Sequence, residues 1–173
     1  MPTDREQNFL KLVRANDVRL RRICRVYGHD AEGRKDLYQE ILLQLWRSLP
    51  SFSGASSVVT WLYRVALNTA LTYSRSRSMR REETLDQEYG DAGPPAIAVD
   101  AMEGRPDSAE RLERLHAAIH RLGSVDKMLV TMYLDERSYR EMADIIGISE
   151  SHVGVKLHRI RKTLAAWLTE ETV

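Results

Sequence analysis

Cysteine occurs once in the 173 residues, at Cys24, so no internal disulfide can form. No Cys/His set has the spacing of a structural zinc site, and the lack of disulfides suits a reducing compartment. No segment approaches the roughly 20 consecutive apolar residues that a membrane-spanning helix needs. The opening MPTDREQNF carries no apolar signal core. The expectation is a cytoplasmic protein without membrane insertion. Neither sign of charge dominates: 26 Lys and Arg stand against 25 Asp and Glu, a formal net charge of +1. A charged partner must therefore be sought in local clustering, not in the total. Strand-like alternation is scarce. Instead, hydrophobic residues, 43% of the chain, recur three and four positions apart, which is the helical period.

The spacing predicts a first helix capped by Asp4 with Gln7, carrying Phe9, Leu10, Val13, Leu20, Ile23, Cys24 and Val26 and broken at Asn16-Asp17. After Gly28-His29-Asp30, a second helix runs from about Ala31 to Pro50. A third starts near Ser57 and sets Trp61, Leu62, Val65, Ala66, Thr69 and Tyr73 along one side. Periodicity lapses from Met79 to about Asp107, where Gly90, Gly93, Pro94, Pro95, Gly104 and Pro106 gather among acidic residues. A stretch of that length without structure is unusual inside one compact domain. The expected layout is all-α: a helical domain over residues 1–78, a flexible acidic linker over 79–107, and a second helical domain over 108–173.

In the second domain, Asp107 and Glu110 stand at capping-box distance ahead of Leu112, Leu115, Ile119 and Leu122. Gly123-Ser124 closes that helix, and Val125–Leu134 forms the next. Ser138-Tyr139-Arg140-Glu141 is a Ser-x-x-Glu box, Gly147 is a helix stop and Ser149 a cap. A basic helix follows, with Val153, Leu157, Ile160, Leu164 and Leu168 as its buried stripe. This is helix-turn-helix grammar, in which the second helix enters the major groove. Its opposite face holds Ser151, His152, Val155, His158, Arg159 and Lys162, with Lys156 and Arg161 on the flanks. Cations supply phosphate affinity, while His and small polar side chains reach base edges. An ordinary solvated basic face has the same periodicity; the three capping signals favour DNA contact.

Two further features lie upstream. Between Glu40 and Glu82 there is no Asp or Glu, yet Arg47, Arg64, Arg75, Arg77, Arg80 and Arg81 all fall there, interleaved with Trp61, Tyr63 and Tyr73. A positive, aromatic surface suits single-stranded or melted nucleic acid, although Trp61 itself reads as a core residue. In DLYQEILLQLW, Asp36, Gln39 and Glu40 form a polar set beside Leu43 and Trp46, a surface on which a partner helix can pack. An enzyme is disfavoured: the acidic residues fall mainly in the linker, the histidines are scattered, and no cofactor or metal is expected. A stand-alone helix-turn-helix regulator stays open as a reading, and would bind its operator without polymerase.

DLYQEILLQLWRSLPSFSG, followed by TWLYRVALNTALTY, an acidic linker and LHRIR in the last helix, resembles a bacterial RNA polymerase sigma factor of the extracytoplasmic-function (ECF) type. The resemblance implies a promoter-specificity subunit that recognises −10 and −35 elements and aids strand opening. It implies that Asp36, Gln39, Glu40, Leu43 and Trp46 dock on the clamp coiled coil of the largest polymerase subunit, with the flap of the second-largest as a further partner surface. It implies −10 contacts from Ser53, Gly54, Ala55, Ser56 and Ser57 around an extruded base, and from Thr60, Trp61, Arg64, Asn68, Arg75 and Arg77. It assigns −35 reading to Ser149, Ser151, His152, Val155, Lys156 and Arg159. An anti-sigma partner is frequent in this family.

The chain departs from the family pattern in places. Ser53-Gly54-Ala55-Ser56 replaces a common Arg-Gly-acidic loop and Val58 a common aromatic, so a smaller and less charged base pocket is expected. Gly154 stands where relatives often carry Lys or Arg, predicting a weaker or differently shaped −35 contact. Leu122-Gly123-Ser124 replaces a Leu-Pro helix opening.

Overall fold

The computed structural model describes residues 3–85 and 106–170. All regular structure among them is helical, as expected. Helices α1 (Asp4–Tyr27), α2 (Ala31–Ser48) and α3 (Val58–Leu85) build one compact unit; α4 (Pro106–Arg121), α5 (Ser124–Leu134), α6 (Tyr139–Ile146) and α7 (Glu150–Glu170) build another. Helix α3 runs past the expected boundary at residue 78 because residues 79–85 are mostly helix-compatible and contain neither Gly nor Pro. The remainder of the expected linker, 86–105, lies outside the described residues.

In the first unit, α1 begins one residue earlier in its logic than expected. Thr3, not Asp4, is the cap, in a reciprocal box with Glu6. The expected break at Asn16-Asp17 is absent. Asn16 is buried, its amide donating to the Leu12 carbonyl (2.9 Å) and its Oδ1 accepting from Arg19 (2.9 Å), so its polar groups are satisfied without leaving the helix. Gly28 ends α1 where α2 crosses closely: a Cβ there would lie 2.7 Å from Arg34 Cγ and 2.8 Å from the Cys24 carbonyl. Tyr38 on α2 donates to Asp17 on α1 (2.6 Å), and Arg21 holds the second oxygen (2.7 Å).

Leu20, Ile23, Leu37, Ile41, Leu45, Leu62, Tyr63 and Leu67 form the core, all fully buried. Each such side chain contributes about 1.5–3 kcal/mol by leaving water. The buried stripe of α3 is therefore Leu62, Tyr63, Ala66, Leu67 and Ala70. Trp61, Val65, Thr69 and Tyr73, expected on it, are only half-buried at its edge.

In the second unit α7 packs on α4, α5 and α6. Ile119, Leu129, Met132, Met142, Val153 and Leu157 form its core. Helix α4 already starts at Pro106, whose fixed φ suits a first helical position, so Asp107 lies inside the helix and not at its cap. Leu164 and Leu168 are half-buried where a buried stripe was expected.

Candidate nucleic-acid interface

The turn between α6 and α7 is specified locally, as the sequence predicts. Ser138 accepts from the Glu141 N–H (3.2 Å) while Glu141 accepts from the Ser138 N–H (2.8 Å). Those contacts, the Ser138 N–H first, hold the Glu141 carboxyl below its usual range; Arg137 adds to them. Gly147 ends α6 at φ 83, a conformation side chains rarely adopt. Ser149 then accepts from the His152 N–H (3.2 Å), opening α7. With Val153, Leu157 and Ile160 buried, Ser149, Ser151, His152, Val155 and Arg159 are all exposed on one side. Val155 is 49% exposed, an apolar group that can meet a thymine methyl.

Lys156 differs from that group. Its Nζ lies 3.3 Å from Asp126 of α5. On the other flank, Arg161 donates to the Tyr133 hydroxyl and sits 4.7 Å above its ring. Gly154, where a cation was missed, has Tyr139 of α6 at 3.5 Å from the place a Cβ would occupy. That position borders α6, and a Cβ there would make ordinary contact with the Tyr139 ring.

In the first unit, Arg64, Asn68 and Arg75 are exposed along one side of α3. Ser53, Gly54, Ala55 and Ser57 are exposed in the preceding loop, Ser56 is half-buried, and Gly54 takes φ 76. Ser57 caps α3, accepting from the Thr60 N–H (3.1 Å). Thr60, expected at the DNA, is instead 8% exposed with its hydroxyl on Ser57 (2.9 Å), so its polar group is used inside the fold. Trp61 stacks on Phe52 with centroids 5.1 Å apart, and Arg77 donates to the Tyr73 hydroxyl (3.1 Å).

On α2, Asp36, Gln39 and Leu43 are exposed, Leu43 at 40%. Glu40 is half-buried and accepts from Gln44 (2.7 Å). Trp46 faces inward more than expected: Phe9 meets its ring edge at 5.2 Å and Arg5 lies 4.2 Å above it. Sequence reasoning missed a groove of about 640 Å³ between α2 and α3, which joins the already named Glu40 and Asn68 to Gln44, Ser48, Thr69 and Tyr73. It also missed Asp126 and Tyr133, which stand 30 and 28 residues from their partners. Among the described residues, no His, Cys, Asp and Glu come together in a set able to hold a metal, and no helix is long and apolar enough to cross a membrane.

A helical unit carrying an arginine-lined helix, followed by a unit that ends in a helix-turn-helix, defines a DNA-binding protein with a second module. Sigma-70 region 2 matches residues 12–80, and sigma-70 region 4 matches residues 112–164. The chain is 33% identical over 134 residues to the ECF RNA polymerase sigma-E factor of Haemophilus influenzae, covering 75% of this chain and 71% of that one. It is 31% identical over 143 residues to RNA polymerase sigma factor YlaC of Bacillus subtilis, covering 82% and 81%. The solved sigma factor RpoE, in complex with anti-sigma factor NepR from Bartonella quintana, shares the fold with a TM-score of 0.70 at 23% identity, over 94% of this chain and 95% of that one. The chain belongs to the ECF family of RNA polymerase sigma factors. Its work is promoter-directed initiation of transcription with core RNA polymerase.

Proposed function

We propose that three exposed surfaces divide this work, with no catalysis by the chain itself and in the cytoplasm. Asp36, Gln39, Glu40 and Leu43 on α2 engage the clamp coiled coil, with Trp46 supporting that helix from beneath. The loop Ser53–Ser57 with Arg64, Asn68 and Arg75 engages the −10 element; Thr60, Trp61 and Arg77 shape its support. Ser149, Ser151, His152, Val155 and Arg159 read the −35 element, and Lys156 borders them. The chain between the end of α3 and the start of α4 acts as the tether between the units. CnrH, a solved neighbour with a TM-score of 0.68 at 20% identity over 95% of this chain and 89% of that one, was determined with the cytosolic domain of CnrY. Together with the complex of RpoE and NepR, it supports an anti-sigma partner for this chain as well.

The observation that carries this reading is the common exposure of Arg64, Asn68 and Arg75 along one side of α3, within a stretch of sequence from Glu40 to Glu82 rich in arginine and without Asp or Glu in between. Extruding a base from the stack costs a few kcal/mol, which phosphate and loop contacts offset. Asn68→Ala is the test. It should reduce permanganate reactivity of the melted −10 strand while leaving initial holoenzyme binding to the promoter intact. Unchanged reactivity would remove Asn68 from strand opening.

A further inference from the structure

On the recognition helix, the two flanking cations are both held by one neighbouring helix. Asp126 stands in the first turn of α5 and Tyr133 near its end. Seven residues apart, they share a side of that helix. Asp126 binds Lys156 at 3.3 Å, with side chains 34% and 29% exposed, respectively. Tyr133 holds Arg161 through its hydroxyl and its ring. His152, Val155 and Arg159 stand exposed on the side between these flanks.

We propose that Asp126 is a positioning residue for −35 selectivity: by holding Lys156 on α5, it keeps that cation from serving as a general phosphate contact. The proposal rests on the assignment of α7 to the −35 element. Sequence-independent affinity comes from cations that displace counterions from the phosphate backbone. A lysine already matched by a carboxylate of its own chain displaces fewer, so base-edge contacts make up a larger share of the total. Selectivity is the ratio of promoter to non-promoter binding, and Asp126 raises that ratio by lowering its denominator.

The test uses the full chain assembled with core polymerase, titrated with a −35 duplex and with a scrambled duplex across a range of salt. Asp126→Asn should steepen the salt dependence on scrambled DNA by about 0.9 in the log–log slope, the value of one phosphate contact. It should lower the promoter-to-scrambled ratio several-fold. Asp126→Glu should restore the parental slope. In a Lys156→Ala background, Asp126→Asn should change neither quantity. Asp126→Ser, well suited to a first helical turn, repeats the measurement if the Asn variant melts early. A parental slope and ratio in Asp126→Asn would overturn the proposal. So would an equal shift in the Lys156→Ala background, since Asp126 would then act on DNA by its charge alone. Arg159→Ala separates the two levels of inference: if it leaves −35 binding untouched, the −35 assignment itself fails. If it weakens binding while the Asp126 variants do nothing, only the positioning role fails.

Discussion

Between α6 and α7 the turn is fixed residue by residue: a reciprocal cap at Ser138 and Glu141, a left-handed Gly147 and a second cap at Ser149. Before α3, the loop also contains a left-handed glycine, Gly54, but Ser53, Gly54 and Ala55 stand exposed ahead of one cap, Ser57. The contrast fits two tasks. Reading intact duplex takes a face formed before contact, because every ordering cost met on binding subtracts from affinity. Receiving a base that has left its stack takes exposed groups that can close around it as a pocket.

The largest expected effect tests whether α2 joins the first unit to polymerase at all. The double variant Gln39→Ala, Glu40→Ala should weaken holoenzyme assembly by at least about tenfold, roughly 1.4 kcal/mol, with helical circular dichroism unchanged. Undiminished assembly would detach α2 from the clamp. Next come the two left-handed glycines. Gly147→Ala should destabilise the protein by about 1–2 kcal/mol from backbone strain alone, since a Cβ there meets nothing within 4 Å. Gly54→Ala, in the less constrained loop, should shift Tm less and impair −10 opening more. Equal Tm losses with normal opening would erase the contrast between the two regions.

Smaller effects sharpen it. Ser138→Ala should cost about 1 kcal/mol in thermal or urea unfolding through loss of the cap. Glu141, held below its usual range chiefly by the Ser138 N–H, stabilises the fold above the unfolded carboxylate value of about 4.3. That contribution disappears as pH falls through the lower folded value. Glu141→Gln should therefore flatten part of the acid-side loss of stability; an unaltered pH profile would deny the carboxylate this role. Arg159→Ala should reduce the salt slope on −35 duplex by about 0.9. The same slope and affinity would take Arg159 out of the interface.

What was legible in the sequence was what short-range chemistry decides. Ser138, Glu141, Gly147 and Ser149 act within a few residues of one another, so their spacing announced the turn and, with it, the exposed face of α7. The register of α3 was less legible, because Trp61 and Tyr73 are as apolar as Leu62 and Tyr63 and only packing on α1 separates the core set from its edge. Thr60 entered as a DNA contact through the family motif, and no pattern in the sequence shows that Ser57 claims its hydroxyl. Trp46 looked like a docking residue because Arg5 and Phe9 lie more than thirty positions away. The hold of Asp126 on Lys156 is likewise created only by folding.

The central claim meets its most direct measurement in transcription in vitro, with purified chain and core polymerase on a library of promoters randomised at both elements. Starts should depend on the added chain and on paired −10 and −35 sequences, and should fall when either Asn68 or Arg159 is replaced by alanine. Tight binding to duplex DNA without polymerase, together with no chain-dependent start at any promoter, would contradict that claim.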